Sequence, residues 1–278
     1  MPIHDQGYRR YEGRRLPPGG AWWVVARTDL LAGMRSRMFV GLLLLAWLPF
    51  VVRVVQIYFS TSYADLPLVA VNARTFRTFI DQQWFFVFLV TISMAGAIAD
   101  DRRVNALQLY LSRPLTRVEY LVGKLVPALV YLLGVTLAPA LLLLVMQVAM
   151  SGSLSFLIEN LFLVPAITLV CVVEALLWAF AIMALSAISK SRRFVAVTFA
   201  GVLFFTAAMS QALRAITGSR AWAAISPGDM IDVLADAAFR VGGRPPVPVP
   251  VAVVVIGALI GLSIWVLERQ VRGVEVVR

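Results

Sequence analysis

Long apolar runs alternate with short polar segments along the chain. A run of about 18–25 apolar residues is long enough, as a helix, to cross the roughly 30 Å hydrocarbon core of a bilayer. Several runs reach this length, and we predict six spans over residues 38–58, 83–99, 124–150, 161–189, 194–211 and 249–267. The expected fold class is therefore all-α: a polytopic membrane protein with six transmembrane helices.

A shorter amphipathic segment precedes the first span. Residues 1–20 are polar and end in Pro17-Pro18-Gly19-Gly20, without the apolar core or cleavage site of a signal peptide. Residues 21–37 have one apolar side, made by Trp23, Ala26, Leu30 and Met34. We predict an elbow helix that lies in the membrane interface, because its charged residues are costly inside lipid. The alternative is a simple extension of the first span.

The most distinctive polar segment, residues 100–124, follows the second span. It is much longer than a turn between two helices needs to be. Its apolar residues recur at steps of three and four, which places them on one helix face: Val104, Leu107, Leu111, Leu115, Val118 and Val122. Two interpretations are open at this point, an interfacial helix that lies on lipid and a surface against which a cytoplasmic partner docks.

Local signals divide this segment further. Pro114 lacks a backbone donor and disfavours helix at Arg113. Thr116 and Glu119 match a capping box, in which each side chain binds the other residue's backbone amide. We therefore predict a short helix over residues 101–112, a bend, and a new helix that enters the third span.

A second polar segment, residues 212–250, precedes the last span. The tetrapeptide Ser226–Asp229 is a helix-start signal, and Met230, Val233, Leu234 and Ala237 share one face of the helix that follows. We expect Asp229, Asp232 and Asp236 to face water or the head groups of a substrate. The alternative is an interfacial helix with a solvated acidic face.

Composition and charge placement support a membrane protein with both termini in the cytoplasm. Apolar residues form 60% of the chain, charged residues form 14%, and the mean hydropathy is +0.85. Of the 25 Lys and Arg residues, 18 lie in the N-terminal segment, the loops after spans two and four and the C-terminal tail, while six lie in the other loops. This bias follows the positive-inside rule. Anionic lipid head groups account for the net charge of +10, so no nucleic-acid partner is expected.

Two charged residues fall at membrane depth, Arg53 in the first span and Glu174 in the fourth. A lone charge in lipid is expensive, and each lies about 22 Å from the inner boundary by helix geometry. We predict an intramembrane ion pair between them. The alternatives are that Arg53 extends to the outer surface, or that Glu174 lines a polar substrate cavity.

The sequence lacks the signatures of common catalytic sites. Gly123-Lys124 has neither the upstream glycine nor the following hydroxyl of a phosphate-binding loop. The only histidine is His4, and the only cysteine, Cys171, lies within the fourth span. No GxSxG elbow and no cluster of metal ligands is present. We therefore expect no enzyme activity, no catalytic residue, and no metal or cofactor bound by this chain.

Residues Ser112–Lys124, SRPLTRVEYLVGK, resemble the motif that follows the second span in permeases of the ATP-binding-cassette type-2 (ABC-2) family. That pattern has the form L-(S/T)-x-P-(L/V)-(S/T)-R-x-x-(Y/L)-(L/I)-x-G-K and follows an acidic-basic stretch, here Asp100–Arg103. The layout is also similar: an amphipathic N-terminal helix, six spans and a longer outer loop before the last span. The resemblance covers residues 100–124 as a motif and most of the chain as a layout.

In that family this loop is the coupling helix, which fits a groove on a separate ATPase subunit. The resemblance implies contact residues for the ATPase at Asp101, Arg102, Arg103, Val104, Leu107, Leu111, Pro114, Arg117 and Glu119. It also implies that two permease copies and two ATPases form the working unit, with membrane lipids around them. ATP and magnesium are then expected on the ATPase and not on this chain.

The resemblance thus implies a permease subunit of an ATP-driven exporter in a bacterial inner membrane. The expected organisation is a flexible cytoplasmic segment (1–20), a permease domain (21–268) with a coupling loop (100–123) and an outer loop (212–248), and a cytoplasmic tail (269–278). Two alternatives stay open. One is a permease-like subunit that transmits force to an envelope machine without moving a solute, and the other is a secondary transporter driven by an ion gradient.

Overall fold

The structure of the chain is a computed structural model that describes residues 20–62, 71–105, 115–152, 155–243 and 245–271. All regular secondary structure in these ranges is helical, which confirms the all-α class. The α-helices are α1 (Ala21–Arg35), α2 (Arg37–Leu45), α3 (Leu48–Ser62), α4 (Ala73–Ser93), α5 (Ala99–Arg103), α6 (Arg117–Val135), α7 (Leu137–Ser151), α8 (Ser155–Glu159), α9 (Leu163–Ile188), α10 (Arg192–Thr217), α11 (Pro227–Ala238) and α12 (Val249–Gln270). A 3-10 helix, Arg220–Ile225, precedes α11.

Within the described ranges, five helical stretches are long and apolar enough to cross a membrane. They match the first, third, fourth, fifth and sixth predicted spans, and they are Arg37–Phe59, Arg117–Ser151, Leu163–Ile188, Arg192–Thr217 and Val249–Gln270. The first comprises α2 and α3, and the second comprises α6 and α7.

The second predicted span, residues 83–99, has the wrong boundaries. The helix in this region is α4, which begins ten residues earlier at Ala73, where Asn72 forms a capping box with Thr75, and ends at Ser93. Its first turns contain Arg77 and Asp81, and for that reason the apolar pattern alone placed the start too late. Arg77 pairs with Asp81 on the same helix and with two aspartates of α11, so the helix can extend through both charges.

Two of the spans are interrupted near a proline. In the third span, Thr136 separates α6 from α7 and donates its hydroxyl to the carbonyl of Leu132 at 2.9 Å. Pro139 follows three residues later and has no amide to donate to the carbonyl four residues before it, that of Val135. In the first span, Ala46 and Trp47 separate α2 from α3, directly before Leu48-Pro49.

Helix α9 is the centre of the bundle. It packs against α4, α5, α6, α7, α10, α11 and α12, and it has the largest buried share of the five candidate spans. Its sequence is apolar around the whole circumference, as expected for a helix surrounded by other helices. Its small residues, such as Ala179 and Ala187, are fully buried and allow close packing.

The hydroxyl of Ser186 on α9 connects this central helix to the turn that follows α4. Ser186 Oγ accepts hydrogen bonds from the backbone amides of Ile98 and Ala99 at 3.0 and 2.9 Å, and donates to the carbonyl of Ala95 at 2.8 Å. All these residues are fully buried. The hydroxyl therefore satisfies three backbone groups where α5 begins.

We expect Ser186→Val to destabilise the protein strongly. The substitution leaves two buried amides without an acceptor, and each such group costs about 1–3 kcal/mol. Thermal unfolding of the purified protein in detergent measures the effect. The matched control is Ser263→Ala on α12, because the Ser263 hydroxyl donates only within its own helix, to Leu259. Equal unfolding temperatures for the two variants would contradict this role of Ser186.

Candidate functional site

A buried ammonium group joins three helices at the start of the third span. Lys124 Nζ on α6 lies 2.9 Å from Asp29 Oδ2 on α1 and 2.8 Å from Asp101 Oδ2 on α5. The Lys124 side chain is only 5% exposed. Tyr120, one turn earlier on α6, donates its hydroxyl to Asp101 Oδ2 at 2.8 Å. We call these four residues the Lys124 cluster.

The cluster depends on a close approach between α1 and α6. A Cβ atom at Gly123 would lie 2.8 Å from Val25 Cβ and 2.9 Å from the carbonyl oxygen of Trp22, both on α1. Any larger residue at this position would push α1 away. Tyr131, two turns further along α6, donates its hydroxyl to the carbonyl of Leu30 at 2.7 Å and fixes the other end of the contact.

Charge balance in the cluster is incomplete, because one ammonium faces two carboxylates. Burial raises the pKa of Asp29 above its usual range, although the neighbouring Lys124 lowers it. The carboxylate of Asp29 is thus held in its charged form mainly by Lys124. Removing the ammonium would leave Asp29 and Asp101 as two partly buried like charges.

The predicted capping box at the start of α6 is confirmed. The Thr116 hydroxyl accepts a hydrogen bond from the Glu119 amide at 3.2 Å, and Glu119 Oε2 accepts one from the Thr116 amide at 2.9 Å. Since α6 begins at Arg117, the box determines where the chain enters the third span.

The predicted continuous helix over residues 101–112 is wrong at its start. Helix α5 ends at Arg103, and Asn105 adopts a left-handed backbone conformation with φ of 55°. Asparagine tolerates this conformation better than other non-glycine residues, and it stops a right-handed helix. The proposed contact residues Leu107, Leu111 and Pro114 lie outside the described residues.

The remaining predicted contact residues divide into a buried and an exposed group. Asp101 belongs to the Lys124 cluster, and Arg102 and Glu119 are half-buried. Arg103 and Arg117 are exposed, and Val104 is 64% exposed. Val118 next to Arg117 is 68% exposed, so two basic and two apolar side chains are accessible around the ends of α5 and α6.

A second charged cluster lies at the other end of α4. The Arg77 guanidinium, whose side chain is 7% exposed, contacts Asp81 on its own helix. It also binds two carboxylates of α11, Asp232 at 2.9 Å and Asp236 at 2.7 Å. Both aspartates therefore bind a cation of the protein, and with side chains 57% and 45% exposed they also keep the contact with water that we expect from the sequence.

The predicted ion pair between Arg53 and Glu174 is not formed in the structure. Arg53 instead donates to three neutral side chains, Gln56 at 2.9 Å, Thr78 at 3.1 Å and Gln82 at 3.2 Å. Its helix, α3, packs mainly on α4 and α7, so the amides and hydroxyl of α3 and α4 reach the guanidinium first. Glu174 Oε2 is buried on α9 without a hydrogen-bond partner.

Sequence reasoning missed several residues that build these sites. We did not predict from the sequence that Asp29, Tyr120 and Lys124 contact one another. Asp29 is far from the other two in sequence, and Tyr120 and Lys124 were interpreted only as positions of the family motif. A usable signal was present for Lys124. A lysine near the first turns of an apolar span needs a carboxylate partner, and Asp100 and Asp101 are the nearest acidic residues in the preceding loop.

Comparison with known proteins gives one match to a protein family. The family model described as ABC-2 family transporter protein matches residues 23–271, which is most of the chain. A search of curated proteins finds no match. The matched region includes both charged clusters and all five candidate spans.

We expect Lys124→Met to cause a large loss of stability, on the order of 3 kcal/mol, because it leaves two partly buried carboxylates without a cation. The matched control is Arg117→Met, which removes an exposed cation two turns earlier on the same helix. Thermal unfolding in detergent compares the two. Adding Asp29→Asn and Asp101→Asn to Lys124→Met should restore part of the lost stability, and a triple variant no more stable than Lys124→Met would contradict the cluster.

Proposed function

Because the chain belongs to the ABC-2 family of transporter proteins, a family of ABC-transporter permease subunits, we propose that it exports a substrate when a separate ATPase presses on the ends of α5 and α6. The surface in question consists of the exposed residues Arg103, Val104, Arg117 and Val118. We call it the coupling surface. Its basic and apolar side chains suit a groove with acidic and apolar walls.

The observation that carries this proposal is the Lys124 cluster. A force applied to α5 acts on Asp101, and the 2.8 Å ion pair with Lys124 transmits it directly to α6. The ion pair with Asp29 extends the same contact to α1. Ser186 provides a second connection, from the start of α5 to α9 at the centre of the bundle. A push on a short surface helix can therefore move two spans together.

The arrangement of the two charged clusters supports six spans with both termini in the cytoplasm. Helix α4 has 21 residues, which corresponds to about 31 Å and is enough to cross the hydrocarbon core. Its first turn binds α11 through Arg77. The carbonyl of Ser93, at its last residue, accepts a hydrogen bond from Arg192 at the start of α10. We propose that α4 is the second span, that α1 lies in the inner interface, and that the coupling surface faces the cytoplasm.

Broad apolar surfaces on the bundle support the proposal that a second permease copy packs against this chain, with lipid around both. The described parts of α3, α10 and α12 are mostly accessible and carry large apolar side chains such as Val52, Phe205 and Val254, each more than half exposed. Lipid covers part of this area, and we propose that a second copy of the chain covers another part. The working unit is then two permeases with two ATPases in a bacterial inner membrane.

Copurification from native membranes tests the ATPase contact. Arg117→Glu reverses one exposed charge of the coupling surface without touching the Lys124 cluster. We expect it to reduce the amount of copurified ATPase at least tenfold. The matched control is Arg220→Glu, which reverses an exposed charge in the 3-10 helix before α11. Gel filtration of both variants confirms that each one is folded.

Three results would contradict the proposed function. The first is a folded wild-type protein that copurifies with no ATPase and whose transport follows an ion gradient, which would identify a secondary transporter. The second is an ATPase that binds both variants equally well, which would place the contact elsewhere on the chain. The third is an ATPase-bound protein that moves no solute in vesicles, which would indicate the force-transmitting subunit.

A further inference from the structure

A cavity of about 510 Å³ lies between α4, α9, α10 and α11. Its volume falls within the range of small-molecule sites in proteins, which is roughly 300–1,000 Å³. Charged and aromatic side chains line it together, among them Arg77, Asp232, Glu174, Trp84, Trp178 and Phe204. Neither the coupling surface nor the Lys124 cluster is part of it.

Negative charge exceeds positive charge around this cavity. Arg77 faces three carboxylates, those of Asp81, Asp232 and Asp236. Near the same wall, Asp229 binds Arg214 at 2.9 Å and accepts the hydroxyl of Ser210 at 2.7 Å. Among the described residues, four carboxyl groups line the cavity, those of Asp81, Glu174, Asp229 and Asp232, against the one guanidinium group of Arg77. The surplus favours a positively charged occupant.

Glu174 is the carboxyl group for which the protein supplies no cation. It is 8% exposed and lies on α9, the most apolar helix of the bundle core. Its Oε2 is buried and has no hydrogen-bond partner among the described residues. An unpartnered carboxyl oxygen at this depth is costly. A ligand that brings a positive charge into the cavity offsets this cost.

Aromatic rings form another part of the cavity lining, which we call the aromatic wall. Phe88 on α4 stacks on Phe199 of α10, with ring centroids 6.3 Å apart, and meets Phe204 edge-on at 5.3 Å. Trp178 on α9 meets Phe199 edge-on at 5.9 Å. Aromatic rings attract organic cations through their π faces, in addition to the apolar contact that they provide.

Two aromatic residues of the lining also belong to the outer surface of the bundle. Trp84 on α4 and Phe204 on α10 both line the cavity, and they are 52% and 50% exposed. A ligand that approaches between these two helices would meet their rings first.

We propose that this cavity binds a hydrophobic organic cation of drug-like size, with its positive charge between Glu174 and Asp232 and its apolar groups against the aromatic wall. Only the further statement that this ligand is the exported cargo rests on the proposed function. The binding itself is a property of this chain alone.

Binding of two isosteric probes to the purified wild-type protein in detergent tests the proposal. Tetraphenylphosphonium and tetraphenylborate have nearly the same size and shape and opposite charges. We expect tetraphenylphosphonium to bind at least tenfold more tightly than tetraphenylborate in equilibrium dialysis. Equal binding of the two ions, or tighter binding of the anion, would overturn the proposal without any variant being made.

Two variants locate the bound cation. Glu174→Gln keeps the size of the side chain and removes its charge, and we expect it to weaken tetraphenylphosphonium binding about tenfold. The matched control is Glu159→Gln on α8, an exposed carboxylate away from the cavity, which should leave binding unchanged. Equal affinities for the Glu174 variant and wild type would overturn the assigned site. If Glu174→Gln does not fold, Trp178→Leu takes its place, and its affinity for tetraphenylphosphonium is compared with that of the wild type in the same assay.

Acid should weaken the binding of the cation. Desolvation by the cavity wall raises the pKa of Asp232 to about 6, although 57% of its side chain is exposed and the neighbouring Arg77 lowers the pKa. Asp232 is therefore charged at pH 7.5 and mostly neutral at pH 5, so we expect at least threefold weaker tetraphenylphosphonium binding at pH 5. The charged groups around it are Arg77 and Asp81 on α4, Glu174 on α9, Arg214 on α10, and Asp229 and Asp236 on α11. Affinity that is unchanged or higher at pH 5 would overturn the position assigned to the cation.

Failure of this proposal and failure of the proposed function give different results. If the ATPase copurifies and depends on Arg117, but the phosphonium ion does not bind selectively, the permease assignment holds and the cargo belongs to another class. If the phosphonium ion binds selectively and no ATPase copurifies, the cavity proposal holds and the coupling proposal fails.

Discussion

The ion pairs of one buried ammonium group hold three helices of this bundle together. A bilayer core supplies no hydrogen bonds, so a polar group at depth must find its partner within the protein. Lys124 does so with Asp29 and Asp101, which come from two separate segments of the chain. The position of α1 and the position of α5 both follow from this requirement, and Gly123 supplies the space for the contact.

Local signals in the sequence predicted the parts of the fold that depend on a few neighbouring residues. The start of α6 follows from the reciprocal bonds of Thr116 and Glu119, and the start of α11 follows from Ser226 as N-cap and Pro227 in the first turn. The apolar face of α11 was also predicted largely correctly, since Met230, Val233 and Leu234 are buried and only Ala237 is exposed. In each case the residues that determine the local structure lie within a few positions of one another.

These local signals could not predict the contacts between segments that are distant in sequence. The N-terminal turns of α4 contain Arg77 and Asp81, and only the aspartates of α11, more than 150 residues later, explain how they fit. The same limit applies to Arg53. Depth along a helix suggested Glu174 as its partner, but depth does not define which helix faces which, and the side chains of α4 lie closer. Asn105 shows a further limit, since a single left-handed residue ends a helix that the apolar pattern continues.

The break in the third span at Thr136 has a mechanical consequence. Its first segment, α6, packs mainly on α1 and α9, whereas its second segment, α7, packs mainly on α3 and α9. Pro139 removes one of the backbone hydrogen bonds that would make the two segments a single stiff rod. The two segments are therefore not obliged to move as one rod: a tilt of α6 together with the ionic cluster need not be passed on to α7, which packs on the first span.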